Sequence, residues 1–117
     1  MYNFHTDVVT ALKTAYTDVY YEEFLDEQCA KQCISYREDL NAERLPGNTI
    51  GYSDVTYTVK VWGYSLSWVL EIACSVDDKM SALGFHRESS AELINGDYIC
   101  KVLRYTGLCQ ETYTTQR

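Results

Sequence analysis

Between Val55 and Phe85 the pattern of apolar and polar positions changes period with no linker in between. Val55, Tyr57, Val59 and Val61 alternate with Thr56, Thr58, Lys60 and Trp62, the two-residue period of a strand with one covered face and one wet face. From Val69 the apolar positions Ile72, Ala73, Val76, Met80 and Leu83 follow at helical spacing, which predicts a long helix with one buried stripe. Gly63-Tyr64-Ser65 supplies the turn between the two elements, Ser65 or Ser67 is placed to cap the helix, and Gly84 stands where a left-handed C-terminal cap belongs. The helix is expected to lie back over the valine face of the strand.

The same rules organise the rest of the chain. Phe4, Val8, Ala11, Leu12 and Ala15 make one face of a first helix over residues 3–15. Val19-Tyr20-Tyr21 and Cys33-Ile34-Ser35-Tyr36 read as two short strands, separated by an acidic stretch over residues 22–27. "NAERLPGNTIGYSD", Asn41 to Asp54, contains the only proline and two glycines and predicts a long, mobile loop. Two further strands, Phe85 to Ile94 and Tyr98 to Tyr105, are joined at Asn95-Gly96, a dipeptide suited to the positive φ angles of a type I′ hairpin turn. The closing residues are polar and aperiodic, so a single domain over residues 1–107 is expected to end in a flexible tail, 108–117. The sum is an α+β fold, a small and mainly antiparallel sheet with two helices packed on one face.

Composition narrows what such a domain can do. A chain of 117 residues suffices for one core, and a net charge of −7 argues against a general grip on nucleic acid. The run Trp68-Val69-Leu70 is far too short to span a bilayer, and residues 1–7 lack the basic and apolar regions of an export signal, so no membrane partner is expected. Five cysteines without such a signal are read as reduced thiols. His5 and His86 have no Ser, Cys or Asp beside them in a nucleophilic context. Cys29 and Cys33 have no second pair at zinc spacing, and Gly47-Asn48-Thr49-Ile50-Gly51 lacks the lysine of a phosphate loop. Asp77-Asp78 reads as a solvated charge run. No catalytic, cofactor-binding or metal-binding residue is assigned.

What remains is surface. Eleven tyrosines suit half-buried contacts, and Trp62, on the polar side of its strand, is a candidate anchor; its plainer alternative is packing under the loop Asn41 to Asp54. Tyr64, Leu45, Ile50 and Tyr52 complete the expected interface set.

The segments "NFHTDVVTALKTAYTDVYY", "CISY", "DVTYTVKVWGYS", "MSALGF" and "GDYICKVLRYTG", taken in order over residues 3–107, resemble the small tail-terminator, or tail-completion, proteins of long-tailed bacteriophages. The resemblance implies a structural virion protein that is not an enzyme. It would assemble with copies of itself as a ring, typically a hexamer, that caps the tail tube protein, ends tail polymerisation and offers a joining surface to the head-tail connector protein. It also implies a place at the head-proximal end of the virion tail, and in the host cytoplasm during assembly. If the acidic excess lines such a ring, DNA passes through without specific binding, because fixed negative charge repels phosphate within about 8 Å at physiological salt. Another connector component, a stopper or adaptor, is the nearest alternative; an acidic DNA-mimic inhibitor and an enzyme using Cys29 or Cys33 are more distant.

Overall fold

The alternation around Val59 is realised as one long strand in a computed structural model, which describes residues 5–21, 32–44, 50–95 and 98–112. In this strand, β3 (Ile50–Gly63), Val55, Tyr57, Val59 and Val61 are all fully buried. It lies between β2 (Cys33–Arg44) and β5 (Tyr98–Thr112). Outside these run β1 (Val19–Tyr21) against β2 and β4 (His86–Asn95) against β5, giving the order β1-β2-β3-β5-β4. All pairs are antiparallel except β1 with β2. Two helices, α1 (His5–Ala15) and α2 (Leu66–Ala82), lie against the valine face. Val8 and Leu12 of α1 and Val69, Ala73, Val76 and Met80 of α2 share one core with Ile34, Tyr36 and the β3 valines. The α+β expectation holds, with both helices on one face.

The junctions of α2 show why strand and helix follow without a linker. Ser65 is extended (φ −117°, ψ 126°) and its Oγ accepts from the Trp68 N–H at 3.5 Å, supplying one of the orphan donors of a helix start with a partner. Gly63 has a role other than the expected turn. It is the last residue of β3, and a Cβ there would stand 2.8 Å from the Trp68 ring and 2.9 Å from Val69, so its bareness lets the first turn of α2 close onto the sheet. At the far end Gly84 has φ 96°. Its N–H donates to the Ser81 carbonyl at 2.9 Å while Phe85 N–H donates to the Met80 carbonyl at 3.1 Å, the two bonds of a Schellman cap. Phe85 then turns into the core, edge-on to Tyr57 at 5.7 Å.

Three sequence expectations are corrected. Asn41 to Asp54 is not a long loop. β2 continues to Arg44 and β3 begins at Ile50, and the two pair from Asn41–Val55 out to Arg44–Tyr52. Residues 108–112 belong to β5 and pair with Ile50 to Asp54, so the strand runs well into the stretch read as a tail. The second strand, expected to stop at Tyr36, extends over 12 residues, with a bulge at Asp39. In each case neighbouring strands supply backbone ladder hydrogen bonds, which do not depend on the side chain, and strand propensity yields to that context. The Asn95-Gly96 turn lies partly outside the described residues; the hairpin's last pair is Asn95–Tyr98. A 14-residue strand spans about 46 Å at the usual rise, which accounts for the 53 × 23 × 21 Å outline.

Candidate functional site

Alternation on five strands leaves a second sheet face, and among the described residues neither helix packs on it. Trp62, Lys60, Thr58 and Thr56 of β3 lie there, with Cys33, Ser35 and Arg37 of β2 and Cys100, Val102, Arg104 and Thr106 of β5 beside them in register. Two bulge residues, Asp39 on β2 and Glu88 on β4, converge across this face on one cation. Arg104 reaches Asp39 at 3.9 Å and Glu88 at 3.6 Å. Asp39 also accepts from Arg37 Nε at 2.5 Å and from the Thr58 hydroxyl. Burial pushes the Asp39 carboxyl up, but the hydrogen bonds from Thr58 and Arg37 and the charges of Arg37 and Arg104 outweigh it and hold the group below the usual carboxylate range. The result is a charge-neutralised strip spanning β2, β3, β5 and β4.

At one end of the sheet the surface becomes apolar. Trp62 is half-buried, its Nε1 donates to Ser35 Oγ at 2.9 Å, and its ring meets Tyr98 edge-on at 5.6 Å. Lys60 Nζ stands 6.0 Å from the ring centroid. Tyr64, half exposed, packs on the same Tyr98 ring at 5.0 Å. Leu93 and Ile94 pair with Cys100 and Ile99 at this end of β4 and are 57% and 72% exposed. Leu66 and Leu70, one turn apart at the start of α2, are exposed as well. Of the large exposed apolar side chains among the described residues, only Leu83 lies elsewhere. Exposed apolar side chains gathered at one end of a sheet mark contact sites.

The expected interface set is thus divided. Trp62 and Tyr64 come together through Tyr98. Ile50 and Tyr52 are backbone positions in the distal part of β3, at the opposite end from Trp62, and Leu45 lies outside the described residues. Residues 41–44 and 50–54, expected as the loop over Trp62, are strands at the far end of the sheet. Leu66, Leu70, Leu93, Ile94 and Tyr98 escaped the sequence reading, although two signals pointed to them. Leu66 and Leu70 form a second helical row beside the buried stripe. Adjacent Leu93 and Ile94 break the alternation of a strand with only one covered face.

A cavity of about 260 Å³ between α2 and the β4–β5 pair is lined by Leu70, Ala73, Cys74, Asp77, Arg87 and Lys101, among others. Of its charged lining residues, Asp77, Arg87 and Lys101 are engaged in pairs, and Asp78 lines it as well. Asp77 accepts from the buried Tyr105 hydroxyl at 3.1 Å and lies 3.6 Å from Arg87, while Lys101 meets Glu92 at 3.2 Å. Burial first, then the Asp77 charge, drives ionisation of Tyr105 far upward, so its hydroxyl stays a donor. Of the other chemistry-bearing residues, Cys33 and Cys100 are buried, Cys74 is exposed, and His86 is exposed at the start of β4. Among the described residues no three His, Cys, Asp or Glu side chains gather as a metal site. No described helix is long and apolar enough to cross a membrane.

No family model matches the chain, and no curated protein matches it. Among solved structures it is similar to a chain of the virion of a native gene transfer agent particle, at 14% identity and a TM-score of 0.64, over 91% of this chain and 91% of that one. The two chains share a fold.

Proposed function

We propose that this chain is a structural virion protein of the tail-terminator kind, which closes as a ring on the end of a tail tube, stops its growth and presents a surface for joining the head. The observation that carries the proposal is the near-full-length fold likeness to a virion chain, reached independently of the resemblance in the strand and helix segments. The apolar side chains at one end of the sheet, among them Trp62, Tyr64, Leu66, Leu93 and Ile94, support it, since each subunit of a ring needs two different patches that are complementary to each other. The hexamer, the tube and connector partners, and the head-proximal position follow from the family resemblance. In that ring DNA passes through without specific binding.

Negative-stain imaging of the purified protein mixed with tail tubes tests the proposal. Ring-shaped density at one tube end, with tube growth arrested, is the expected result. Binding to DNA-filled heads ahead of tubes would instead identify a stopper or adaptor, and a monomer that ignores both would remove the virion role.

A further inference from the structure

We infer that the outer edge of β4, over Ser89 to Ile94, is where a second copy of this chain adds to the sheet, so that strand pairing continues from one subunit to the next; the inference rests on the ring assembly proposed above. Among the described residues β4 pairs only with β5, leaving an outward row of backbone donors and acceptors. Every residue from His86 to Ile94 is also exposed on whichever face it occupies. An open edge of this kind is a template for another strand unless charge, a bulge, proline or a covering element blunts it.

Such devices are confined to one half of β4. His86, Arg87 and Glu88 are charged or titratable, the register shifts between Arg87 and Ser89, and Arg87 and Glu88 are drawn to Asp77 and Arg104. From Ser89 to Ile94 there is no bulge and no proline, and the one charge, Glu92, is neutralised by Lys101. Leu93 and Ile94 point to opposite faces by alternation. An added strand would therefore meet Leu93 on the face that carries Trp62 and Ile94 on the helical face.

Charge argues for the occupant. A polyanion finds no unpaired cation along this half-strand, and a basic partner finds its one carboxylate, Glu92, already paired with Lys101. Copies carrying −7 each repel where their charges face one another, and a neutral, apolar edge is where they approach at least cost. A ring contact is heterologous, so the neighbour contributes a segment other than its own β4; pairing of β4 with β4 would close at two subunits.

Ile94→Lys and Leu93→Lys, at exposed positions, test this in the full chain against Leu83→Lys, an exposed apolar position away from the edge. Sedimentation velocity over a concentration series is expected to show wild type and L83K assembling beyond dimers, with I94K and L93K weakened by about tenfold or more and unchanged in circular dichroism. Hydrogen exchange is expected to slow across 89–94 on assembly. Unimpaired assembly by I94K, assembly that stops at a dimer, or assembly without slowed exchange in β4 would overturn the inference. So would an I94K protein that self-associates normally but fails to bind tail tubes, because the occupant would then be a different virion protein. Self-association through β4 without rings at tube ends would instead defeat the terminator role and leave the edge contact standing.

Discussion

Asp39 shows how one side chain ties the sheet together across the face opposite the helices. It sits at a bulge, where the extra residue re-aims its carboxylate, and it receives Arg37, Arg104 and the hydroxyl of Thr58, which is 5% exposed. Asp39→Ala leaves the Thr58 hydroxyl without that acceptor and is expected to destabilise the fold by about 1–2 kcal/mol, read by urea denaturation. The pH dependence has a definite sign. A carboxyl held below its ordinary pKa in the folded state adds stability above about pH 4, and that stability is lost as pH falls through the lowered folded value. D39A should therefore show a flatter loss of stability in acid than wild type. Tyr57 and Tyr105 act in the opposite sense. Burial first, then Glu38 for Tyr57 and Asp77 for Tyr105, raises both hydroxyls, so their contribution is complete below about pH 10 and declines above it as the unfolded chain ionises. Tyrosinate absorbance is expected to develop in two stages in alkali, the second coinciding with unfolding. A single early stage for all tyrosines would mean that the two rings are not sequestered.

At the scale of elements, α2 and the inner part of β3 were legible because their signals are local. Alternation at Val55 to Val61, a serine cap and a glycine stop each have a physical reason within a few residues. Gly84→Ala isolates one of them. Nothing lies within 4 Å of the added methyl, so the cost is that of the positive φ alone, about 1–2 kcal/mol, and thermal melting should fall by several degrees while Gly84→Asn loses less. The outer halves of β2, β3 and β5 were not legible. Their residues, from Asn41 to Arg44 and Ile50 to Asp54, read locally as turn formers, and only pairing with strands distant in sequence makes them extended. The parallel β1–β2 pair is equally invisible to local pattern. The apolar end was half legible for the same reason. Trp62 and Tyr64 stood out in one segment, whereas Tyr98, Leu93 and Ile94 join them only through the register of three strands.

For the whole molecule the governing quantity is a net charge of −7 on a rod about 53 Å long. Subunits brought edge to edge repel one another, and that repulsion is screened within about 10 Å at 0.1 M salt. The contact argued for β4 is apolar and hydrogen-bonded, with its one charge already neutralised by Lys101, so salt removes the repulsion without weakening the attraction. Self-association is therefore expected to strengthen as ionic strength rises from about 0.01 M to 0.5 M, a range over which the screening length falls from about 30 Å to under 10 Å. Sedimentation at fixed protein concentration measures this directly. Weakening with salt would mean that intersubunit ion pairs hold the copies together. The charged strip from Arg37 through Asp39 and Arg104 to Glu88 would then replace the apolar edge as the surface where copies meet.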